Sequence, residues 1–366
     1  MTECKRRDFL KTTVSATLGL AASAHLPARS ARGSAKPARK IKIGQIGTGH
    51  AHAGGKMSTL RKLTNDFQVV GLVEPDAQRQ QAMARHAAYR DLPMMTEEQL
   101  LNTPGLEAVA VETEVRDLVP TAARCIAAGM HLHLDKPAGE SLGQFKAALD
   151  GAARSGLVVQ MGYMFRTNPA FQFCFRAVRD GWLGEVFEAH GVVSKTIPAS
   201  RRAGLARYPG GSMFELGCHL IDALVYALGK PEEVAAYIRR TRPDQDSLAD
   251  NCLAVFEYPK ATCTIRSALL EVEGFRRRQF VVCGDQGTID IRPLEPPRLL
   301  LALVKSRDPY RAGYQEVELP AMPGRYDDQL VDLARTIRGE KENDFPYSHD
   351  LAVQEAILRA SGLPTD

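Results

Sequence analysis

The stretch IKIGQIGTGHAHAGGKMSTLRKL, residues 41–63, decides how the chain is read. Its first half alternates apolar residues, as a strand does, and then breaks into glycines before a helical segment begins. Strand, tight turn and helix in that order form the context in which a glycine fingerprint carries meaning. Gly47 permits the tight turn, and Gly49 lets backbone approach a pyrophosphate whose charge the helix N-terminus favours. The third glycine of the G-x-G-x-x-G pattern is absent: His52 stands there, followed by Ala53, Gly54 and Gly55.

The segment after it supports a dinucleotide site. FQVVGLVEPD predicts a second strand ending at Glu74, 25 residues beyond Gly49. An acid there accepts ribose hydroxyls and repels a 2′-phosphate, which favours NAD over NADP. Arg79, close by in sequence, argues the other way. Strands and helices then alternate: a helix around 77–89, a turn at 97–101, a strand at 108–111, a helix at 118–128, the strand-loop MHLHLDKPAG, a helix at 142–153 and a strand at 157–161. That spacing predicts a parallel, doubly wound sheet over residues 41–162. Lys136, biased to extended backbone by Pro137, would sit at a strand's C-terminal end, where such sheets bind ligands. A fixed ammonium there can hold a hydroxyl and stabilise the charge left when its proton goes; a surface lysine beside a turn is the alternative.

From 163 to 366 the pattern changes. Helices are few, and the runs EEVAAYIRRT, LADNCLAVFEY, ATCTIRSALLEV, RRRQFVVCG and GTIDIRP predict strands divided by Pro and Gly turns, hence an α+β domain with a large, mostly antiparallel open sheet. SRRAGLARYPGG reads as a basic loop, and helices are expected at 327–338 and 350–360. Within GGSMFELGCHLIDALVYALG, residues 210–229, Glu215, His219 and Asp222 are four and three residues apart and would share one helix face. Two carboxylates and an imidazole among Met213, Phe214, Leu216, Leu220, Leu224 and Val225 have the surroundings that shift pKa values toward proton transfer. A metal site or a purely structural polar stripe are the competing readings; the pairs His50/His52 and His131/His133 raise the metal question too.

The formal charge of +4 is misleading. Residues 1–40 hold nine Lys/Arg against Glu3 and Asp8, which leaves 38 basic and 41 acidic residues in 41–366, a net of −3. A mildly acidic body gives no reason to expect nucleic acid. Lys5-Arg6-Arg7-Asp8-Phe9-Leu10-Lys11 resembles the twin-arginine export signal, followed by a weakly apolar run to Ala24, too short for a membrane span. The expectation is a 1–40 leader and a folded protein delivered to the periplasm. Of seven cysteines none forms a CxxC pair; Cys252 and Cys263 flank a hairpin turn where a disulfide could close.

With these pieces in place, residues 41 to the end resemble the glucose-fructose oxidoreductase, inositol dehydrogenase and MocA (Gfo/Idh/MocA) family. GTGHAHAGG, DKP where the family usually has EKP, GGSMFELGCHLIDALVYALGKP, FRTNPAF and the C-terminal HDLAVQEAILRASG carry the resemblance. It implies an NAD(P)-dependent oxidoreductase acting on CH–OH groups. Lys136 would orient the reacting hydroxyl and His219 would take its proton. Asp222 would bind substrate or orient His219, and Glu215 stands where the family usually has Asp. Gly47, Thr48, Gly49, His50, Glu74, Thr113, Asp135 and Lys136 would hold the cofactor; Tyr163 and Arg166 would meet the substrate. No metal is implied. Export further implies a tightly held NAD and a sugar, polyol or glycoside substrate. Net oxidation and redox-neutral glycoside cleavage by transient oxidation both fit, and a non-catalytic sugar sensor of the same fold is the remaining alternative. The open sheet predicts a homodimer or homotetramer.

Overall fold

The computed structural model describes residues 39–366 except Ala84, so the expected export signal lies outside the described residues. The first half folds as β1 (Ile41–Ile46), α1 (Ala53–Lys62), β2 (Phe67–Val73), α2 (Ala77–Met83), α3 (Glu97–Leu101), β3 (Ala108–Val111), α4 (Val115–Ala127), β4 (His131–Leu134), α5 (Leu142–Arg154) and β5 (Val159–Met161). Its strands are parallel, in the order β2-β1-β3-β4-β5. Met94 adds a single parallel bridge outside β2, with Leu72 N donating to Pro93 O and accepting Met95 N at its carbonyl. The strand order reverses between β1 and β3, and that reversal opens a crevice at the strands' C-terminal ends. Gly47 has φ +85° at this point, and a Cβ on it would lie 2.7 Å from the backbone of Thr113. The turn therefore needs glycine for both backbone conformation and close approach.

The second half contains α6 (Pro169–Arg179), β6 (Val186–Val192), α7 (Ala199–Leu205), α8 (Cys218–Leu228), then β7 (Glu233–Arg239), β8 (Asn251–Glu257), β9 (Thr262–Ala268), β10 (Gln279–Gly284), β11 (Gly287–Leu294), β12 (Pro297–Leu303) and β13 (Gly313–Val317). They form a sheet of order β13-β12-β11-β10-β6-β9-β8-β7, antiparallel except for the β6–β9 pair. The expected open sheet is present, and larger than expected by β12 and β13. Helices α6 and α8 cover one face, α6 packing on β11 and β12 and α8 on β6; Phe171 stacks on Phe165 and lies 5.4 Å from Phe280 in β10. Gly191 in β6 leaves room for Leu220 and Ile265.

Two differences bear on the site. The basic stretch after Ile197 is not all loop: α7 forms there because Arg202 is buried and forks onto Asp246 at 2.6 and 2.9 Å, with Asp250 at 3.0 Å. The last two helices, α9 (Asp327–Ile337) and α10 (Tyr347–Ala360), return to the first sheet. Gln329 accepts from Lys56 Nζ at 2.8 Å and donates to Met161 O and Tyr163 O, while Gln354 brackets the loop after Lys136 by donating to Gly139 O and accepting from Ala138 N. All described cysteines are free; Cys252 lies opposite Ser267 and Cys263 opposite Phe256, so the hairpin does not bring them together.

Candidate active site

Lys136 leaves β4 at its C-terminal end with its backbone N–H donating to the Asp135 carboxylate at 2.7 Å. Its side chain is buried, and Nζ donates to the Glu215 carbonyl at 2.8 Å. That carbonyl is presented by an irregularity the sequence did not announce. Residues Met213–Gly217 form a π-helical turn that runs directly into α8. Such a turn inserts one residue and shifts the hydrogen-bonding pattern; Lys136 and the Cys218 thiol both donate to the Glu215 carbonyl.

The three side chains of the expected stripe part company. Glu215 and His219 stay near Lys136, whereas Asp222, three residues beyond His219 in the regular helix α8, is engaged by Arg166. Asp222 accepts from Arg166 Nη2 at 2.6 Å and from Nε at 3.1 and 3.2 Å, and the same Nη2 reaches Asp350 at 2.6 Å. His349 Nε2 lies 3.4 Å from Asp222. Both members of this pair were expected to serve the reaction, Asp222 as substrate ligand or His219 orienter and Arg166 as a substrate contact. The structure pairs them with each other: a buried guanidinium needs carboxylates, and Asp222 and Asp350 supply them. Tyr163 does reach the site, its ring centroid 6.2 Å from that of His219.

Burial and charge set the protonation states. Burial pushes His219 well below the usual imidazole range, and the charge of Lys136 adds to it; its Nδ1 has no hydrogen-bond partner. Glu215 is held down to about 2: burial opposes ionisation, but Lys136 and Lys195 outweigh it, with Lys195 Nζ 3.6 Å away. For Lys136 burial favours the neutral amine, yet Cys218, Glu215 and Asp135 raise its pKa. At neutral pH the centre is therefore an ammonium, a carboxylate and a neutral imidazole.

His50 and His52 turn inward around Asp135. His50 Nε2 lies 3.0 Å from the Lys136 carbonyl and Nδ1 lies 3.1 Å from Asp135; His52 Nδ1 lies 3.2 Å from Asp135. The His50 side chain, expected at the cofactor, thus braces Lys136 from behind. His52, in place of the third glycine, points at the catalytic end, 5.9 Å from His219 ring to ring, and burial pushes its pKa down to about 4. These three residues are the group among the described residues whose ligand atoms, within 4.8 Å of one another, could take a cation; each ring nitrogen involved already faces an oxygen. Below them Lys56 donates to His133, which burial and Lys56 hold down to about 3, and burial with the nearby Asp135 charge raises the Glu112 pKa well above the usual carboxylate range. No sequence pattern singles out Lys56 or Glu112, and His133 drew notice only as one of a histidine pair.

The crevice fits a dinucleotide. A cleft of about 570 Å³ is lined by Gly47, Gly49, Glu74, Arg79, Thr113 and Thr121 among others, and a second, of about 180 Å³, continues from Gly49 to Glu215. Helix α1 has no acid in its first turn and no side-chain cap, leaving its N-terminus open to an anion. Glu74 is buried; Oε2 accepts from Thr48 N (2.8 Å) and Thr48 Oγ1 (2.5 Å), and Oε1 accepts from Asp76 N (2.9 Å). One acceptor position on Oε1 remains, so Glu74 can take one ribose hydroxyl rather than both. Opposite Gly49, Glu114 pairs with Arg79 and with Arg207 at 3.2 Å.

A parallel sheet with a dinucleotide crevice, joined to an open sheet whose helix carries His219 toward Lys136, defines a nicotinamide-dependent oxidoreductase architecture. The chain belongs to the Gfo/Idh/MocA oxidoreductase family. Residues 41–163 match the family model described as "Oxidoreductase family, NAD-binding Rossmann fold", and residues 171–290 match the GFO/IDH/MocA C-terminal domain. Among curated relatives, the uncharacterized oxidoreductase YdgJ of Escherichia coli is 25% identical over 70% of this chain and 79% of its own. The trans-1,2-dihydrobenzene-1,2-diol dehydrogenase of Sus scrofa is 25% identical over 71% of this chain and 74% of its own. The aldose-aldose oxidoreductase of Caulobacter crescentus shares the fold with a TM-score of 0.74 at 21% identity, over 88% of this chain and 98% of the other. No described helix is long and apolar enough to cross a membrane.

Proposed function

We propose that the protein interconverts a secondary alcohol and a carbonyl on a sugar or polyol, using NAD held in the crevice, after export by the twin-arginine route. The observation that carries this reading is the buried pairing of a charged Lys136, anchored on the Glu215 carbonyl, with a neutral His219. Lys136 donates its remaining ammonium hydrogens to the substrate oxygen and stabilises the charge that develops there. His219 takes the hydroxyl proton, which its depressed pKa leaves it free to do at neutral pH. Glu215 keeps Lys136 and Lys195 charged, and Tyr163 closes the wall beside His219. A bound nicotinamide supplies the hydride acceptor, or the donor in reverse.

Two features favour NAD over NADP. The Glu74 carboxylate at the end of β2 would repel a 2′-phosphate, and Arg79, the neighbouring cation, is already paired with Glu114. A protein exported without a nucleotide pool must keep its cofactor and cycle it between two substrates, as the name of the Caulobacter relative describes for aldoses. The uncovered face of the second sheet exposes Tyr237 (53%) and Tyr314 (64%) with Leu300, and a second copy seated there makes a homodimer or, by repetition, a homotetramer.

The test is to purify the exported chain, denature it and identify released nucleotide by mass spectrometry, then assay the holoprotein on sugars and polyols. Near-stoichiometric NAD or NADH, with oxidised product formed from one substrate and reduced product from another, is expected. Aglycone release without net oxidation would assign the same residues to glycoside cleavage. A protein that neither carries nor binds a nicotinamide dinucleotide overturns the reading.

A further inference from the structure

Lys195, just beyond β6, places Nζ 3.6 Å from Glu215; Arg278, at the end of the β9–β10 connection, feels the same carboxylate, and Arg325 stands ahead of α9. Arg278 is only 4% exposed. Its Nε donates to Ser194 O at 3.0 Å, and its guanidinium lies 3.7 Å over the Phe275 ring. Among the described residues no carboxylate stands within ion-pair distance of it. The acids whose charge reaches it are engaged elsewhere: Glu295 with Arg325 at 2.7 Å, Glu271 with Arg277, and Glu215 between Lys136 and Lys195. Lys136, Lys195, Arg278 and Arg325 thus share Glu215 and Glu295 as their nearer acids, with Asp135 acting on Lys136 and Glu271 on Arg278.

A buried cation without a counter-ion is unfavourable unless a ligand supplies the opposite charge. The strain is visible at both neighbours. Burial lowers the pKa of Lys195, and Lys136, Arg278 and Arg201 lower it further; Arg278 is pushed down to about 10, chiefly by burial. Phe275 covers one face of the guanidinium and Ser194 takes Nε, so the outer Nη edge is what remains. That edge matches a planar, monoanionic carboxylate in a two-pronged contact.

We propose that the substrate is a sugar acid or polyol acid, its carboxylate seated on Arg278 and Lys195 while Lys136 and His219 act on a hydroxyl of the same molecule. This rests on the oxidoreductase reading and narrows its substrate class. It also accounts for two cations that the hydride-transfer chemistry does not use.

The test compares matched pairs on the nucleotide-loaded holoprotein: D-gluconate against D-glucitol, and D-glucuronate and D-galacturonate against D-glucose and D-galactose. Binding is read by quenching of bound NADH fluorescence and turnover by product analysis. A generic carboxylate, malonate, is titrated against chloride at equal ionic strength with Tm as readout. Expected are a preference for the acid in each pair, a malonate stabilisation in excess of chloride, and loss of both in Arg278→Gln. The preference ratio should fall about a hundredfold, the scale of a hydrogen bond to a charged group. Lys195→Met should lower the same ratio by a smaller factor. Nucleotide content separates folding damage from loss of the anion site; Tm without ligand should fall only slightly in Arg278→Gln, since the Ser194 hydrogen bond and the Phe275 contact are lost but no ion pair is. Equal handling of acid and neutral partners, or a malonate effect retained in Arg278→Gln, overturns the proposal and leaves the oxidoreductase reading intact. A preference for phosphorylated sugars over the acids overturns the carboxylate assignment. Absence of nucleotide and of turnover on every compound instead refutes the underlying function, whatever malonate does.

Discussion

Replacing Asp222 by Ala separates the two roles that its position in the family helix and its contacts assign to it. In the structure Asp222 accepts from Arg166 through both carboxylate oxygens at 2.6–3.2 Å, and both residues are buried. Removing one partner of a buried ion pair costs roughly 3–5 kcal/mol, because the other charge is left uncompensated. Asp350 remains on Arg166 Nη2 at 2.6 Å, so the lower end applies, about 3 kcal/mol. For a chain of this size each kcal/mol shifts Tm by roughly 2 °C, which makes the expected drop about 6 °C. Arg166→Met should lower Tm comparably. The double variant Arg166→Met/Asp222→Leu should recover part of the loss, since burial already raises the Asp350 pKa and lets it carry a proton once the arginine is gone. The assay is thermal unfolding of the nucleotide-loaded protein, paired with turnover per bound nucleotide at a temperature where every variant is folded. Turnover should stay within a few-fold of wild type. An Asp222→Ala protein with unchanged Tm and abolished turnover would refute this argument and restore Asp222 to the reaction.

His219→Gln should lower turnover by about 10² to 10⁴, the usual range for a lost general base, while nucleotide content is unchanged; a variant with normal rates removes His219 from the chemistry. Because burial holds its folded pKa well below 6.5, wild-type kcat/KM should stay level through pH 6.5 and fall only further into acid. The same shift makes the contribution of His219 to stability complete above pH 6.5 and progressively lost below it, as the unfolded chain takes up the proton first. Tyr237→Glu with Tyr314→Glu should convert the assembly to monomer by light scattering; a wild-type protein that is already monomeric would refute the sheet-face interface.

Much of this was legible in the chain because it is local. The alternation of residues 41–46, the glycine turn, Glu74 at the end of the next strand and the strand-loop carrying Lys136 all depend on neighbours a few positions apart, and each formed where the pattern placed it. Other elements were hidden for identifiable reasons. Strand β12, PRLLLAL, is a continuous apolar run with no period of its own, and α7 lacks an apolar stripe because Arg202 holds it through Asp246 and Asp250. Helix α4 starts at Val115, three residues ahead of the expected start at 118, and carries Pro120 inside it.

The site divides along the same line. The sequence by itself determined a dinucleotide crevice and which residues could handle protons: Lys136, His219 and a carboxylate at 215. It could not determine their company. A spacing of i, i+4, i+7 places side chains on one face only if every turn holds 3.6 residues; the π turn at Met213–Gly217 breaks that condition at Glu215 while presenting its carbonyl to Lys136, and Asp222, in the regular helix beyond, is taken up by Arg166. Arg166 with Asp350, and Arg278 with Ser194, join residues 184 and 84 positions apart. Charges that far apart along the chain meet only after the sheets have packed, and burial, which then fixes their protonation, is a property of the folded whole.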